Sequence, residues 1–380
     1  MKLWKVGLVL ALLYAVLTVP LFASGAKEAA STDTIHIALT APITGDYAEY
    51  GKNFQRSVEM AINEINAAGG VLGKKFELSV GDSKGDPKES ANLAQKWVSD
   101  PTIVAEIGDF TSTCCMASQP IYDRAGMVQL SPTASHTKFA PGSPWSFSIV
   151  GTQAYEQPFM AKLASKTLGF KNMAVLYINN DWGVDTQKFY KENFEQQGGK
   201  IVGEESFFQG DKDFKAALTK LKASNPDALY MAAMYNDGAL IEKQRQELGW
   251  NIPVLGPSSL YSDQLIKLGG AAVDGLYTNV SFFAKDPDPK IQNYVKGFEK
   301  LYNVTPNFHA ALAYDAMYLL ADAIKRAGST DHKAIRDALA VTKDFSGLTG
   351  DITFTQYGDA IKSYKAVRVT NGDFQIFNSK

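Results

Sequence analysis

The sequence predicts an α/β protein built as two similar lobes, each a mostly parallel sheet covered by helices on both faces. Three observations predict it. Short apolar runs alternate with amphipathic helical patterns, the signature of β-α-β units. The alternation begins near residue 35 and restarts after Gly151 without an exact sequence repeat. With 380 residues, 45% of them hydrophobic, the chain is long enough to bury two sizeable cores.

Each element has its own local justification. "IHIALTAP" (35–42) reads as a buried strand ending in a turn. In "FQRSVEMAINEINAAGG", Val58, Ala61, Ile62 and Ile65 recur at helical spacing, and Gly69 and Gly70 stop the helix. "KFELSVGDS" is the next strand. "DPKESANLAQKWVSD" is a helix with Pro87 near its start and Ala91, Leu93, Ala94 and Trp97 as packing residues. "IVAEIGDF" is a strand, "CCMASQPIYDRAG" a short helix, and "MVQLSPTAS" a strand with its terminal loop. After Gly151 come the strand "NMAVLYINND", the helix "GVDTQKFYKENFEQQGG", the strand "KIVGEESF" and the helix "DKDFKAALTKLKASNPD". The strand "ALYMAAMYND", the helix "GALIEKQRQELGW" and the strand "NIPVLGPSS" complete the second series. Beyond Leu276 the sequence predicts a loop rich in Asp and Pro, "FFAKDPDPK", then helices over 291–302 and 309–327. "DITF" and "YKAVRV" are two short strand candidates in the tail.

Composition narrows the function. Lys plus Arg total 38 against 40 for Asp plus Glu, a formal charge of -2, which speaks against a nucleic-acid binder. "GGVLG" lacks the Lys and Ser/Thr of a phosphate loop. Four histidines and two cysteines show no metal-ligand spacing, so no metal or cofactor is implied and no enzyme is expected. The cysteines, Cys114 and Cys115, are adjacent, without the two-residue spacer of a redox pair, and are expected to be reduced, buried small apolar residues.

The first residues predict export. "MKLWK" is a basic start, "VGLVLALLYAVLTVPLFA" an apolar core, and "ASGA" a small-residue cleavage region, so residues 1–26 read as a secretory signal peptide. A retained membrane anchor is the alternative, since the apolar run approaches spanning length. No cysteine lies near the junction for lipid attachment. The expected location is periplasmic or otherwise extracytoplasmic.

In open parallel sheets a ligand binds beyond the carboxyl ends of the strands. That rule selects Tyr50, "GDFTST", "SPTAS", "NNDWG", "MYND" and "GPSSLY". Their hydroxyls, amides, glycines and aromatics suit a small, partly apolar, polar-ended molecule.

From "IALTAPITGDYAEYGKNFQRSVEMAINEINAAGG" through "IGDFTSTCCMASQPIY", "LSPTAS", "VLYINNDWG", "ALYMAAMYNDGALIEKQRQELG", "VLGPSS" and "GLTGDITF", the chain resembles the leucine/isoleucine/valine-type periplasmic binding proteins. These are the receptors of branched-chain amino-acid ABC importers. The likeness covers essentially everything after about residue 34. It implies the type I periplasmic binding fold: two similar α/β/α lobes, three hinge crossovers, a central cleft that closes on a ligand, and a closed form that docks on an ABC permease. Lobe one is expected over 34–151 plus 280–355, and lobe two over 152–279 plus 356–380.

The resemblance also assigns the ligand-binding residues. Ser112 matches the serine that holds the ligand carboxylate, at the mouth of a helix whose free N–H groups favour an anion; a plain N-cap is its other reading. Phe110 and Thr111 match neighbouring cleft positions. Thr133 and Ser135 match a backbone contact and a hydroxyl contact, or are ordinary turn residues. Tyr50 matches a tyrosine near the cleft mouth, or packs at the start of the first helix. Trp182 matches an aromatic lid from lobe two. Met234 stands where the family carries tyrosine, with Tyr235 one residue later to compensate. Phe282 and Phe283 close the pocket from below or belong to the core.

Ser258 departs from the pattern. The leucine-type receptors carry there the carboxylate that pairs with the ligand ammonium, and a second family acid is replaced by Gln153. Asp237 supplies the charge or caps a helix beginning at Gly238. The carboxylate-binding half of the site is thus expected to be kept and the ammonium-binding half altered. The ligand is expected to be an amino acid or related small carboxylate, with an aromatic acid or an amide as the alternative. A sensory module signalling to a membrane receptor is the alternative role.

Overall fold

The computed structural model describes residues 34–378. The signal-peptide reading of residues 1–26 lies outside the described residues. No described helix is long and apolar enough to cross a membrane.

The chain first lays down β1 (Thr34–Ala41), α1 (Ala48–Ala67), β2 (Lys75–Asp82), α2 (Pro87–Ser99), β3 (Ile103–Gly108), α3 (Ser112–Ala125), β4 (Val128–Ser131) and β5 (Ser146–Ser148). The five strands form one parallel sheet in the order β2-β1-β3-β4-β5. The chain then crosses to α4 (Gln153–Lys162), β6 (Asn172–Ile178), α5 (Asp181–Gln196), β7 (Lys200–Phe207), α6 (Lys215–Ala223), β8 (Ala228–Ala232), α7 (Tyr235–Glu247), β9 (Val254–Leu255), α8 (Asp263–Gly269) and β10 (Tyr277–Val280). It returns with α9 (Pro289–Tyr302), α10 (Phe308–Ala327), α11 (His332–Ala340) and a small hairpin, β11 (Phe345–Gly347) and β12 (Gly350–Ile352). It ends in β13 (Lys365–Thr370) and β14 (Asp373–Ile376).

The second sheet has the order β14-β13-β10-β9-β8-β6-β7. It is parallel from β7 to β10, and β13 and β14 add an antiparallel edge. Three crossovers therefore join the two sheets, after β5, after β10 and after β12. This is the two-lobed α/β/α architecture expected of the type I periplasmic binding fold.

The local reasons are visible in the sequence. Asp86 caps α2 by accepting from the N–H groups of Lys88 and Glu89, and Pro87 fills the first helical position, where its missing N–H costs nothing. Thr111 caps α3 through Cys114 N–H, and Gly126 ends it in the left-handed conformation. Asn180 caps α5 through Gly183 N–H, and Asn307 caps α10 through Ala310 N–H. The apolar stripe of α1, with Phe54, Val58, Ala61, Ile62 and Ile65 buried, packs against the first sheet and α10.

Several elements were not legible beforehand. Helix α4 and strands β5, β10 and β14 fall where the sequence reading placed no element. The "NIPVLGPSS" run holds only a two-residue strand, followed by a 3-10 turn over Ser258–Leu260. "DITF" contributes to the small hairpin rather than to either large sheet.

Candidate ligand-binding site

In the first sheet the strand order reverses direction between β1 and β3, and in the second between β6 and β8. The loops leaving those strands are where a ligand is expected, because adjacent connections diverge there and open a crevice. The loop after β3 carries Phe110 and Thr111 into α3, the loop after β6 leads to Trp182, and the loop after β8 carries Met234. The β3 loop can turn so sharply because of Gly108, at φ +142°; a Cβ there would lie 2.2 Å from the Thr40 carbonyl oxygen.

These loops converge on one cavity of about 30 Å³. Phe110, Thr111, Ser112, Thr133, Ser135, Trp182, Met234 and Ser258 all line it, so eight of the ten candidates meet at one place. Tyr50 and Tyr235 stand behind the wall. Tyr50 is fully buried, stacks on Phe110 with ring centroids 3.9 Å apart, donates to Ser259 O (2.6 Å) and accepts from Tyr235 N–H (3.1 Å). Tyr235 in turn donates to Asp46 O at 2.9 Å. The two tyrosines thus tie α1 of one lobe to α7 and the Ser259 turn of the other. Phe282 is core, packed edge-on against Tyr294, and neither it nor Phe283 lines the cavity. A larger groove of about 570 Å³ lies along the crossovers, where Lys365 pairs with Asp286 at 2.7 Å.

One end of the cavity is built to donate hydrogen bonds. Ser112 Oγ accepts from the N–H groups of Ser135 and His136, both at 3.1 Å. Ser135 Oγ accepts from Gln153 Nε2 (2.6 Å) and Trp182 Nε1 (3.1 Å). A hydroxyl has two acceptor positions and one proton, so each serine is left with its O–H to give. Gln153 is held in turn by Gln157, whose carbonyl accepts from Tyr230 Oη at 2.5 Å. The start of α3 adds its positive dipole end and unbonded first N–H groups. Thr111, not Ser112, is the N-cap. Thr133 spends its hydroxyl on Phe110 O at 2.7 Å and braces the loop.

Next to these groups stands an acid that the sequence reading missed, since Gln153 Nε2 also reaches Glu156 Oε2 at 3.4 Å. Glu156, on α4, lines the cavity and is 4% exposed. Its Oε1 accepts from Ser258 N–H (2.7 Å) and from Asn279 Nδ2 (2.9 Å). The serine that replaces the expected acid therefore presents its backbone to another acid. Gln153 does not empty the site of charge either, because Glu156 lies one turn further along the same helix. Asp237 is not that acid: it lies outside the cavity wall, in the first turn of α7, which begins at Tyr235 with Met234 as its N-cap. Burial pushes the Asp237 carboxyl up to about 7.

The wall also carries the apolar and aromatic side chains of Phe110, Val150, Met234 and Phe308, with His309 beside them. Phe308 and His309 open α10, which the sequence reading saw only as a packed helix.

The cysteines are bystanders. Both are free and buried, and burial raises both thiols far above their ordinary range. Cys115 Sγ contacts Asp109 O and Ser131 Oγ at 3.3 and 3.5 Å, bracing the binding loop from behind.

Two lobes with a small cavity at the switch points of both sheets are the geometry of a solute-binding protein. The profile of the periplasmic binding protein family matches residues 34–373, and the chain belongs to that family. The leucine-, isoleucine-, valine-, threonine- and alanine-binding protein of Pseudomonas aeruginosa is 28% identical over 366 residues, covering 96% of this chain and 94% of that protein. The branched-chain amino acid transporter substrate-binding protein LivJ of Streptococcus pneumoniae, solved with isoleucine, is 28% identical, with a TM-score of 0.85 over 90% of this chain and 99% of that one. A solute-binding protein of an ABC transporter from Rhodopseudomonas palustris, solved with 3,4-dihydroxybenzoic acid, is 25% identical, with a TM-score of 0.83 over 92% and 98%. The chain is thus an extracytoplasmic binder of a small solute for ABC transport, and not an enzyme.

Proposed function

We propose that the cleft binds a free α-amino acid and that its closed form delivers this ligand to an ABC permease in the cytoplasmic membrane. Glu156 carries the reading. A zwitterion needs an anion partner and a cation partner a few ångströms apart, and a buried ammonium without an anion would be costly. Ser112, Ser135 and the start of α3 meet the ligand carboxylate; Glu156 meets the ammonium; Phe110, Met234 and Trp182 cover the side chain. The lobes move as two units about the three crossovers, and Tyr50 and Tyr235 latch the closed form.

The related protein solved with a dihydroxybenzoate poses the alternative of an aromatic acid. Such a ligand carries one negative end and no cation, so Glu156 opposes it. An amide lacks the anion that the two serine hydroxyls address.

The test is thermal denaturation of the protein with amino acids, aromatic acids and neutral amides, since binding to the folded state raises apparent stability. Amino acids are expected to raise the melting temperature. A shift with benzoate-type acids and none with any amino acid overturns the reading.

A further inference from the structure

The chain has four histidines. Three have a ring-nitrogen partner: His36 with Thr102 Oγ1 and Ser79 Oγ, His136 with Lys138 N–H, and His332 with Ile103 O. His309 has none. It is 3% exposed, it lines the candidate cavity, and among the described residues neither of its ring nitrogens meets a hydrogen-bond partner.

The ring is firmly held. It lies edge-on to Tyr50 (4.8 Å between centroids) and to Phe110 (5.7 Å), with Phe308 at 5.3 Å on the same helix turn. The Tyr50 hydroxyl is already committed to Ser259 and Tyr235, so it cannot turn to serve the imidazole. Burial among these rings pushes the His309 pKa down to about 3, so the ring is neutral in the physiological range. A neutral imidazole offers one donor and one acceptor. Leaving such groups unpaired in a buried site is costly. An aromatic residue such as phenylalanine would fill this space without that cost.

We propose that His309 is a specificity residue that selects, among α-amino acids, one whose side chain carries a neutral hydrogen-bonding group, a hydroxyl or a carboxamide. The proposal rests on the amino-acid reading of the cleft. Ser112 and Glu156 fix the ligand's common atoms; of the remaining wall, Phe110, Val150, Met234 and Phe308 are apolar, Thr133 and Ser259 give their hydroxyl protons to Phe110 O and Ala233 O, and His309 sits unpaired among the apolar side chains. A ligand side chain that offers both hydrogen-bonding functions satisfies the imidazole. A branched aliphatic chain of the same size leaves it unpaired, and sites built around such a bond discriminate strongly against the apolar isostere.

The experiment is calorimetric titration with near-isosteric pairs: L-threonine against L-valine, and L-asparagine against L-leucine. In wild type at least one polar member is expected to bind 10-fold or more tightly than its apolar partner. In H309F that ratio is expected to fall toward one, and the wild-type ratios stand alone as a test if H309F does not fold. Equal or tighter binding of valine and leucine by wild type overturns the proposal and leaves the amino-acid reading intact, as does a polar preference that H309F retains. If no amino acid binds and an aromatic acid or amide does, both fall.

Discussion

Ser112 shows how one residue is set for its task by its neighbours. Its two acceptor positions are filled by the N–H groups of Ser135 and His136, so its proton faces the cavity as a donor. On the proposed reading, S112A would remove a hydrogen bond to a charged ligand group, on the order of 1.5–3 kcal/mol, and it leaves two buried N–H groups without a partner. Affinity measured by calorimetry is expected to fall roughly 10-fold or more. Such positions were legible because strand-to-helix loops rich in Ser, Thr and Gly mark a ligand crevice. Glu156 and His309 were not. Glu156 sits on a helix whose first turns bury Gln153, Glu156 and Gln157, with Met160 and Ala161 buried only at its end, so its start shows no apolar period. His309 opens an otherwise apolar helix, where a histidine reads as part of the packing.

Among the elements, α7 links stability to pH. Asp237 in its first turn is 2% exposed, and its Oδ2 has no partner. Across the interface Tyr47 Oη is likewise buried and unpaired, while Asp46, Asp211 and Lys212 surround the group. Desolvation is the main cause that raises the carboxyl from 3.8 to about 7, with Lys212 acting against it. In the unfolded chain this acid ionises near 3.8; in the folded chain it keeps its proton to about 7. Its contribution is therefore fully present below about pH 4 and is lost as pH rises to about 7. At about 1.4 kcal/mol per unit the loss amounts to a few kcal/mol. D237N cannot ionise, so its melting temperature is expected to fall less than that of wild type between pH 4 and 8, and to exceed it above pH 7. Elements such as β5, β9, β10 and β14 span two to four residues, too short for any periodicity to register, whereas the long helices α1, α9 and α10 declared themselves by spacing.

At the scale of the whole molecule the two lobes meet around the ligand site. Trp182 of lobe two donates to Ser135 of lobe one, Thr137 bonds Asp185 through its backbone N–H (2.9 Å) and its hydroxyl (3.0 Å), and Tyr50 bridges to Ser259. A cavity of about 30 Å³ holds little more than about two waters, at ~10–15 Å³ each, so a solute of amino-acid size would fit only if the lobes parted. Parting of the lobes would strip Trp182 of its bond to Ser135. Its fluorescence is expected to change on ligand addition, and W182F is expected to lose most of that change. A change that persists in W182F contradicts this placement of closure.

The central claim is that the cleft is bipolar, with Glu156 as its cation-binding pole. Calorimetric titration of wild type and E156Q with the tightest-binding amino acid, at pH 7, tests it most directly. The substitution keeps the size and most of the hydrogen bonding but removes the charge. The account predicts a loss of affinity on the order of 10–100-fold in E156Q, the worth of one charged hydrogen bond. Equal affinity in the two proteins would contradict it.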